Sequence, residues 1–310
     1  MRAVRTGNEG VGVVTVPDTP GEGVAVSVAA SGICGSDLHL VSLGPSEVTI
    51  GHEFSGTLDD GTPVAVWPMI PCGRCARCLG GDDQQCAWVL GTLYGVSRDG
   101  GLADRTWVAP QCARPLPAGV RVEDACLVEP LAVALHGIHR AGVESGSTVL
   151  VIGAGPVGLC TIAASRAHGT EVELLAHRSD RFDAGVRLGA RPATGSEYDV
   201  VFDAAGTQGS IDVAVDRVRP GGTVAVLGTF WDPVSLGLGI QMKEVTLVPA
   251  FAYGHHHEEA EFDRAISLLE RTPDLPSVLI THRFPLDDAA EAFRVAGDRE
   301  SGAIKVVLEP

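Results

Sequence analysis

Cys34, Ser36, Asp37, His39, His52 and Glu53 fall within one short stretch of the chain. Together they offer a thiol, a hydroxyl, two imidazoles and two carboxylates. A thiolate, an imidazole and a carboxylate are ligand types that hold a catalytic zinc while leaving a position open. Cys34 and His52 are the leading ligands. Glu53 is either the third or a carboxylate that exchanges with water on the metal. Asp37 suits a supporting place, accepting from the free nitrogen of His52 and so fixing its tautomer. Ser36 and His39 are close enough in sequence to move a proton, and an imidazole exchanges protons with water near neutrality.

A second set of potential ligands is purely sulfur. Cys72, Cys75, Cys78 and Cys86 form a Cys-x2-Cys-x2-Cys-x7-Cys array. Four thiolates leave no open position, which is the composition of a structural zinc site. A ferredoxin cluster would want a shorter last gap followed by proline, and here Ala87 follows. The lobe is expected to fold around its metal and act as a brace. Cys112, Cys126 and Cys160 lack metal-like spacing and read as packed thiols.

Further on, Thr148 to Ile152 reads as a buried strand, followed by Gly153-Ala154-Gly155-Pro156-Val157-Gly158 and an apolar helix to about His168. Glycines between a strand and a helix let the backbone approach a dinucleotide pyrophosphate at the helix N-terminus. The next strand, Val172 to Leu175, ends at Ala176-His177-Arg178, with Arg181 one turn on. NAD enzymes place an acid at the Ala176 position to bind the ribose 2′-hydroxyl. With no acid there and a guanidinium able to pair with a 2′-phosphate, NADP(H) is expected over NAD(H). The alternative is that Arg178 stacks on the adenine of either cofactor. Ala205 in the turn Asp203–Gly206, and Gly228-Thr229 after another strand, should line the same cleft, with Arg219–Gly222 as the turn between. Only residues 191–197 separate Ala190 from the strand Tyr198 to Phe202. Parallel neighbours need a crossover of about a dozen residues, so this sheet edge must be trimmed. His255-His256-His257 reads as a solvated loop, with Glu258 opening a helix to about Glu270.

These groups need two kinds of scaffold. Val11 to Val16 and Val24 to Ala30 alternate as strands across the turn Pro17–Gly23, and short strands continue to about Val108. That describes a β-rich shell ahead of an alternating β/α region. A length of 310 residues supports two domains, and 45% hydrophobic with 20% charged residues is a globular composition. A net charge of −16 opposes phosphate backbones and anionic lipid. Nucleic acid and membrane are therefore not expected partners. With no signal-like or membrane-length segment, and cysteines spaced for metal rather than disulfides, a reducing, cytoplasmic setting is expected.

The segments Cys34-Gly-Ser-Asp-Leu-His39 and Gly51-His52-Glu53 resemble those of the zinc-dependent medium-chain dehydrogenase/reductases, within them the polyol and threonine dehydrogenase branch. The cysteine lobe, Gly100–Asp104, Glu129-Pro-Leu-Ala-Val133 with His136, Phe284-Pro285-Leu286 and Ala303–Val307 carry the likeness through the whole chain. The resemblance implies an α/β protein: a GroES-like catalytic domain over 1–133 and 256–310, interrupted by a doubly wound Rossmann domain over 134–255, with the active site in the cleft. It implies hydride transfer between a secondary alcohol or polyol and NAD(P), with one catalytic and one structural zinc. Ser36 and His39 match the family's proton relay. The polyol branch favours Glu53 as third ligand and carries a glutamate at the Glu129 position, which then ligates zinc or holds its water. A helix N-terminal carboxylate is the plain alternative for Glu129. An NADPH-dependent aldehyde or ketone reductase is the runner-up, and a non-redox zinc and nucleotide module the more distant alternative. Family habit suggests a homodimer or homotetramer built by joining Rossmann sheets edge to edge. Trp67, Met69 and Tyr94 are candidates for the small-molecule substrate pocket.

Overall fold

The computed structural model describes residues 1–8 and 10–310. The chain divides into two compact units, one comprising residues 1–129 and 257–310, the other residues 130–256. In chain order the first unit begins with β1 (Arg2–Gly7), β2 (Gly10–Thr15), β3 (Val24–Gly32), α1 (Gly35–Ser42), β4 (Glu53–Leu58) and β5 (Pro63–Val66). The short α2 (Ala76–Leu79), β6 (Arg105–Val108) and β7 (Ala113–Pro115) follow. After α3 (Val128–Ala141) come β8 (Thr148–Ile152), α4 (Pro156–Ala167), β9 (Glu171–Leu175), α5 (Ser179–Arg187), β10 (Arg191–Pro192) and β11 (Tyr198–Asp203). The second unit continues with α6 (Gln208–Arg217), β12 (Val218–Val226), α7 (Leu238–Met242), β13 (Thr246–Pro249) and β14 (His255–His256). The chain ends with β15 (Glu259–Ala260), α8 (Glu261–Arg271), α9 (Leu275–Leu279), β16 (Ile280–Pro285), α10 (Ala289–Gly297) and β17 (Lys305–Glu309). Among the described residues no helix is long and apolar enough to cross a membrane.

The first unit is built on a seven-stranded sheet in the order β16-β17-β3-β4-β5-β7, with β6 also paired to β3. Alternation along β3 puts Val26, Val28 and Ala30 inside, where Val26 and Val28 pack with Phe54, Val64, Val66 and Val108. A second core joins Val4, Ile33, Ile50 and Leu102 to Phe293 of α10 and to Val306 and Leu308 of β17. The register of three adjacent strands bears on chemistry. Val307 of β17 stands opposite Gly32 of β3, and Gly32 opposite Glu53 of β4.

The second unit carries a parallel sheet in the order β10-β9-β8-β11-β12-β13. This is the doubly wound order, with its reversal beside β8. The trimmed edge is explicit. Residue pairs Arg191↔Glu173 and Pro192↔Leu174 are all that remain of β10, and five residues, 193–197, carry the chain to β11. Crossing three strand spacings takes about 14 Å, within the roughly 20 Å that six extended steps reach. No crossover helix is needed because β10 is too short to require a long return. Glu173 staples the connection, accepting from Thr194 N–H at 2.7 Å, Gly195 N–H at 3.3 Å and the Tyr198 hydroxyl.

Some local expectations are corrected. Arg219–Gly222 is not a free turn but lies within β12, where the pairing jumps from Tyr198↔Val218 to Val200↔Thr223 and the intervening residues bulge. His255-His256 forms the half-buried β14 rather than a solvated loop, and the His256 ring stacks on His139 with centroids 3.8 Å apart. The following helix starts at Glu261, three residues after Glu258, because β15 intervenes. Trp67, Met69 and Tyr94 are buried. The Trp67 ring stacks on Phe262 at 6.2 Å, and the Tyr94 hydroxyl accepts from Ala109 N–H at 2.8 Å. Tyr94 is thus part of the core around Phe54, not a pocket wall.

Candidate active site

Cys34 follows the end of β3 and is the N-cap of α1, while His52 and Glu53 sit at the start of β4. Because β3 and β4 pair directly, the two ligand segments meet. One ligand atom each from Cys34, His52 and Glu53 lies within 4.8 Å of the others. Asp37, on the first turn of α1, is fully buried and serves both segments. Its Oδ2 accepts from Cys34 N–H at 2.9 Å, and its Oδ1 stands 3.2 Å from His52 Nδ1. The latter is a close approach without the alignment of a full hydrogen bond. Nε2 of His52 is left for a ligand, and Ser36 Oγ lies 3.5 Å from it. Burial alone would lower the His52 pKa, but Asp37 and then Cys34 push it well above the ordinary value. A buried imidazole close to a thiol and a carboxylate, backed by an acid, is a donor set that fits zinc.

His39 lies on the last turn of α1, exposed, three residues after Ser36 and so on a neighbouring part of the helix surface. Glu129 occupies the first turn of α3. It is outside the group of three whose ligand atoms converge.

Glu53 has a partner that sequence reasoning missed. Lys305 Nζ donates to Glu53 Oε1 at 2.7 Å and Oε2 at 2.5 Å, and to Ile33 O at 3.1 Å. Burial opposes the Lys305 charge, yet Glu53 and Cys34 raise its pKa above the ordinary value. The signal was a single lysine inside the apolar run Ala303–Leu308. A buried ammonium demands an anion.

In the cysteine lobe the four sulfurs lie within 4.8 Å of one another. Cys75 and Cys78 sulfurs are 3.5 Å apart, and those of Cys72 and Cys78 3.9 Å. Tetrahedral zinc with bonds of 2.3 Å would set an edge of about 3.8 Å, so the set fits zinc closely. Backbone N–H groups of Arg74 and Cys75, followed by the effect of Cys86, bring the Cys72 thiol down to about 6. Burial pushes Cys78 up to about 12.

In the second unit the turns after β8, β11 and β12 pack side by side. Gly153 has φ +98, and a Cβ there would press on Ala205 at 3.2 Å. A Cβ on Gly158 would overlap the carbonyl of Gly153, whereas one on Gly155 would meet nothing within 4 Å and project into open space. Pro156 opens α4, and Val157 follows it in the first turn. Asp203 Oδ1 accepts from Ala205 and Gly206 N–H, each at 3.0 Å, and Gly206 abuts Gly228 and the Thr229 carbonyl. This cradle at the carboxyl ends of central strands suits a nucleotide pyrophosphate. Ala176 and His177 lie just past β9, and Arg178 is the N-cap of α5, which contains Arg181. Arg178 grips Asp180, with Nε–Oδ1 3.1 Å and Nη2–Oδ2 3.0 Å.

Comparisons with known proteins agree with this geometry. Residues 20–118 match the alcohol dehydrogenase GroES-like domain and residues 122–309 the glucose dehydrogenase C-terminus. The chain is 33% identical over 330 residues to L-arabinitol 4-dehydrogenase of Aureobasidium melanogenum, covering 94% of this chain and 88% of that protein. The crystal structure of L-idonate 5-dehydrogenase from Escherichia coli K-12 superposes with TM-score 0.89 at 27% identity, covering 100% of this chain and 97% of that one. An NADP-bound chain from Sinorhizobium meliloti 1021 superposes with TM-score 0.86 at 27% identity, covering 100% and 99%. A thiol–imidazole–carboxylate centre, a four-cysteine lobe and a glycine cradle thus sit in a chain that belongs to the zinc-dependent medium-chain dehydrogenase/reductases, the zinc alcohol dehydrogenase family that exchanges hydride between alcohols or polyols and nicotinamide nucleotides.

Proposed function

We propose that the chain oxidises a secondary hydroxyl of a small polyol, or reduces the matching ketone, with NADP(H) favoured over NAD(H). The convergence of Cys34, His52 and Glu53, with Ser36 Oγ 3.5 Å from His52 Nε2, carries this reading. L-Arabinitol and L-idonate, which name two of the similar enzymes, set the substrate class. When bound, zinc at these three residues supplies Lewis acidity, which lowers the pKa of water from 15.7 to about 7, and the nicotinamide supplies the hydride-accepting carbon. Ser36 accepts the hydroxyl proton and His39, exposed on the same helix, passes it to water. Glu129 acts at one remove, orienting water beside the centre. Cys72, Cys75, Cys78 and Cys86 hold a second zinc that braces the lobe.

The nucleotide rests on Gly153, Gly155, Pro156, Val157 and Gly158, with Ala205, Gly228 and Thr229 lining the cleft. Lack of an acid at Ala176, with His177, Arg178 and Arg181 beside it, favours a 2′-phosphate. The working form is a homodimer joined through the open edge of β13, where Trp231, Leu236, Leu238, Met242 and Phe251 are exposed. A reducing cytoplasm keeps the eight free thiols available.

The test is nicotinamide absorbance with zinc-loaded enzyme, a panel of pentitols, aldonates and their ketones, and both cofactors, before and after chelation. Chelator-sensitive turnover of a polyol, faster with NADP, is the expected result. Turnover confined to primary alcohols, or unaffected by metal removal, would exclude this assignment. Light scattering of a Trp231→Glu, Phe251→Glu variant should report a monomer. An unchanged dimer would place the interface elsewhere.

A further inference from the structure

Lys305 is buried on the last strand, and its three donors are fully used by Glu53 Oε1, Glu53 Oε2 and Ile33 O. The strand register explains how it arrives there. β17 runs beside β3, which pairs with β4, so the C-terminal strand delivers an ammonium to the residue that follows His52. Gly32 lies between them without a side chain, and a Cβ there would overlap Glu53 Oε2. The slot is shaped for a carboxylate held by lysine. Neither group has water to turn to: the side chains are each 2% exposed.

We propose that Lys305 is a positioning residue of the metal centre, holding the Glu53 carboxylate by both oxygens and thereby limiting how strongly it binds the metal. This rests on the assignment of Cys34, His52 and Glu53 as zinc ligands. Each Glu53 oxygen that accepts from the ammonium gives less electron density to a metal, and the ammonium itself repels a dication. The centre would therefore bind zinc less tightly than its three ligands alone would. Without Lys305, Glu53 becomes an unencumbered anionic ligand in a site of low dielectric.

The experiment compares wild type, Lys305→Met, Lys305→Gln and Lys305→Arg. Zinc is counted per chain, affinity is measured against a chromophoric chelator, and the visible spectrum of the cobalt-substituted protein is recorded. Lys305→Met should bind the catalytic zinc at least about tenfold more tightly and shift the cobalt bands, while Lys305→Arg should stay near wild type. If Lys305→Met does not fold, Lys305→Gln keeps a hydrogen-bond donor without the charge and should show the same tightening. Unchanged or weaker affinity in the folded neutral variant, with two zincs still bound, would overturn the role of Lys305 alone. Wild type holding only the cysteine-lobe zinc would overturn the ligand assignment and this inference with it.

Discussion

Asp37 Oδ1 stands 3.2 Å from His52 Nδ1, and the other ring nitrogen, Nε2, lies 3.5 Å from Ser36 Oγ. The same carboxylate caps Cys34 through its other oxygen. One buried acid thus touches both segments, and on the proposed assignment it orients two zinc ligands. Replacing such a partner costs about 10–100-fold in metal affinity. Asp37→Asn should fall in that range with its far-ultraviolet dichroism unchanged, since an amide oxygen can still cap α1. Equal zinc affinity in a chelator competition would mean that β4 alone fixes the His52 ring.

The cysteine lobe has little core of its own. Leu79, Trp88 and Leu90 are exposed, and only a few side chains such as Cys86 and Val89 are buried. On the proposed assignment of a second zinc to these cysteines, metal binding would supply much of the lobe's folding free energy. Cys78→Ser should lose one zinc per chain, retain the other, and become cleavable by protease between residues 72 and 91. A variant that kept its protease resistance without that zinc would show the lobe to be held by packing instead.

What could be read in the sequence had a local cause. Strand β8 is found where its apolar run lies, and the sulfur spacing of Cys72–Cys86 announced a convergent set. The trimmed edge followed from chain reach alone. Side chains meeting across strands were not legible. Nothing near Glu53 in sequence points to Lys305, because their contact depends on the register of β17, β3 and β4. Likewise Tyr94 was misjudged, since an aromatic in a loop gives no hint whether it faces a pocket or, as here, reaches Ala109 inside the core.

Arg178 is not idle before a cofactor arrives, because Asp180 already holds it at two points. On the proposed NADP reading, a 2′-phosphate would compete with that carboxylate for Arg178, offsetting part of the preference that the missing acid at Ala176 would give. Asp180→Asn should lower KM for NADP several-fold while leaving KM for NAD nearly unchanged. Ala176→Asp should move preference the other way. If Asp180→Asn altered both cofactors equally, Arg178 would be acting on the adenine they share rather than on the phosphate.

Asp199 ties together three strands of the nucleotide-binding sheet. Its Oδ2 accepts from Thr148 N–H at 2.9 Å and the Thr148 hydroxyl at 2.8 Å, and its Oδ1 from Arg219 Nε at 2.7 Å. The Thr148 N–H, then Arg219, bring its pKa down from 3.8 to about 2. A carboxylate whose pKa is lower in the folded state contributes stability above its unfolded pKa and loses it as pH falls through the folded one. The contribution of Asp199 is therefore essentially complete above about pH 5, falls as the pH drops through about 4 toward about 2, and is gone below about pH 2. Because the side chain is 37% exposed, solvent screening keeps the effect modest. Asp199→Asn should melt below wild type at pH 7 and pH 5, and the difference should shrink at pH 3. Melting curves of the two proteins at these three pH values decide it. A gap that does not narrow on acidification would mean that the three hydrogen bonds, not the charge, join Thr148 of β8 to Arg219 in the β12 bulge.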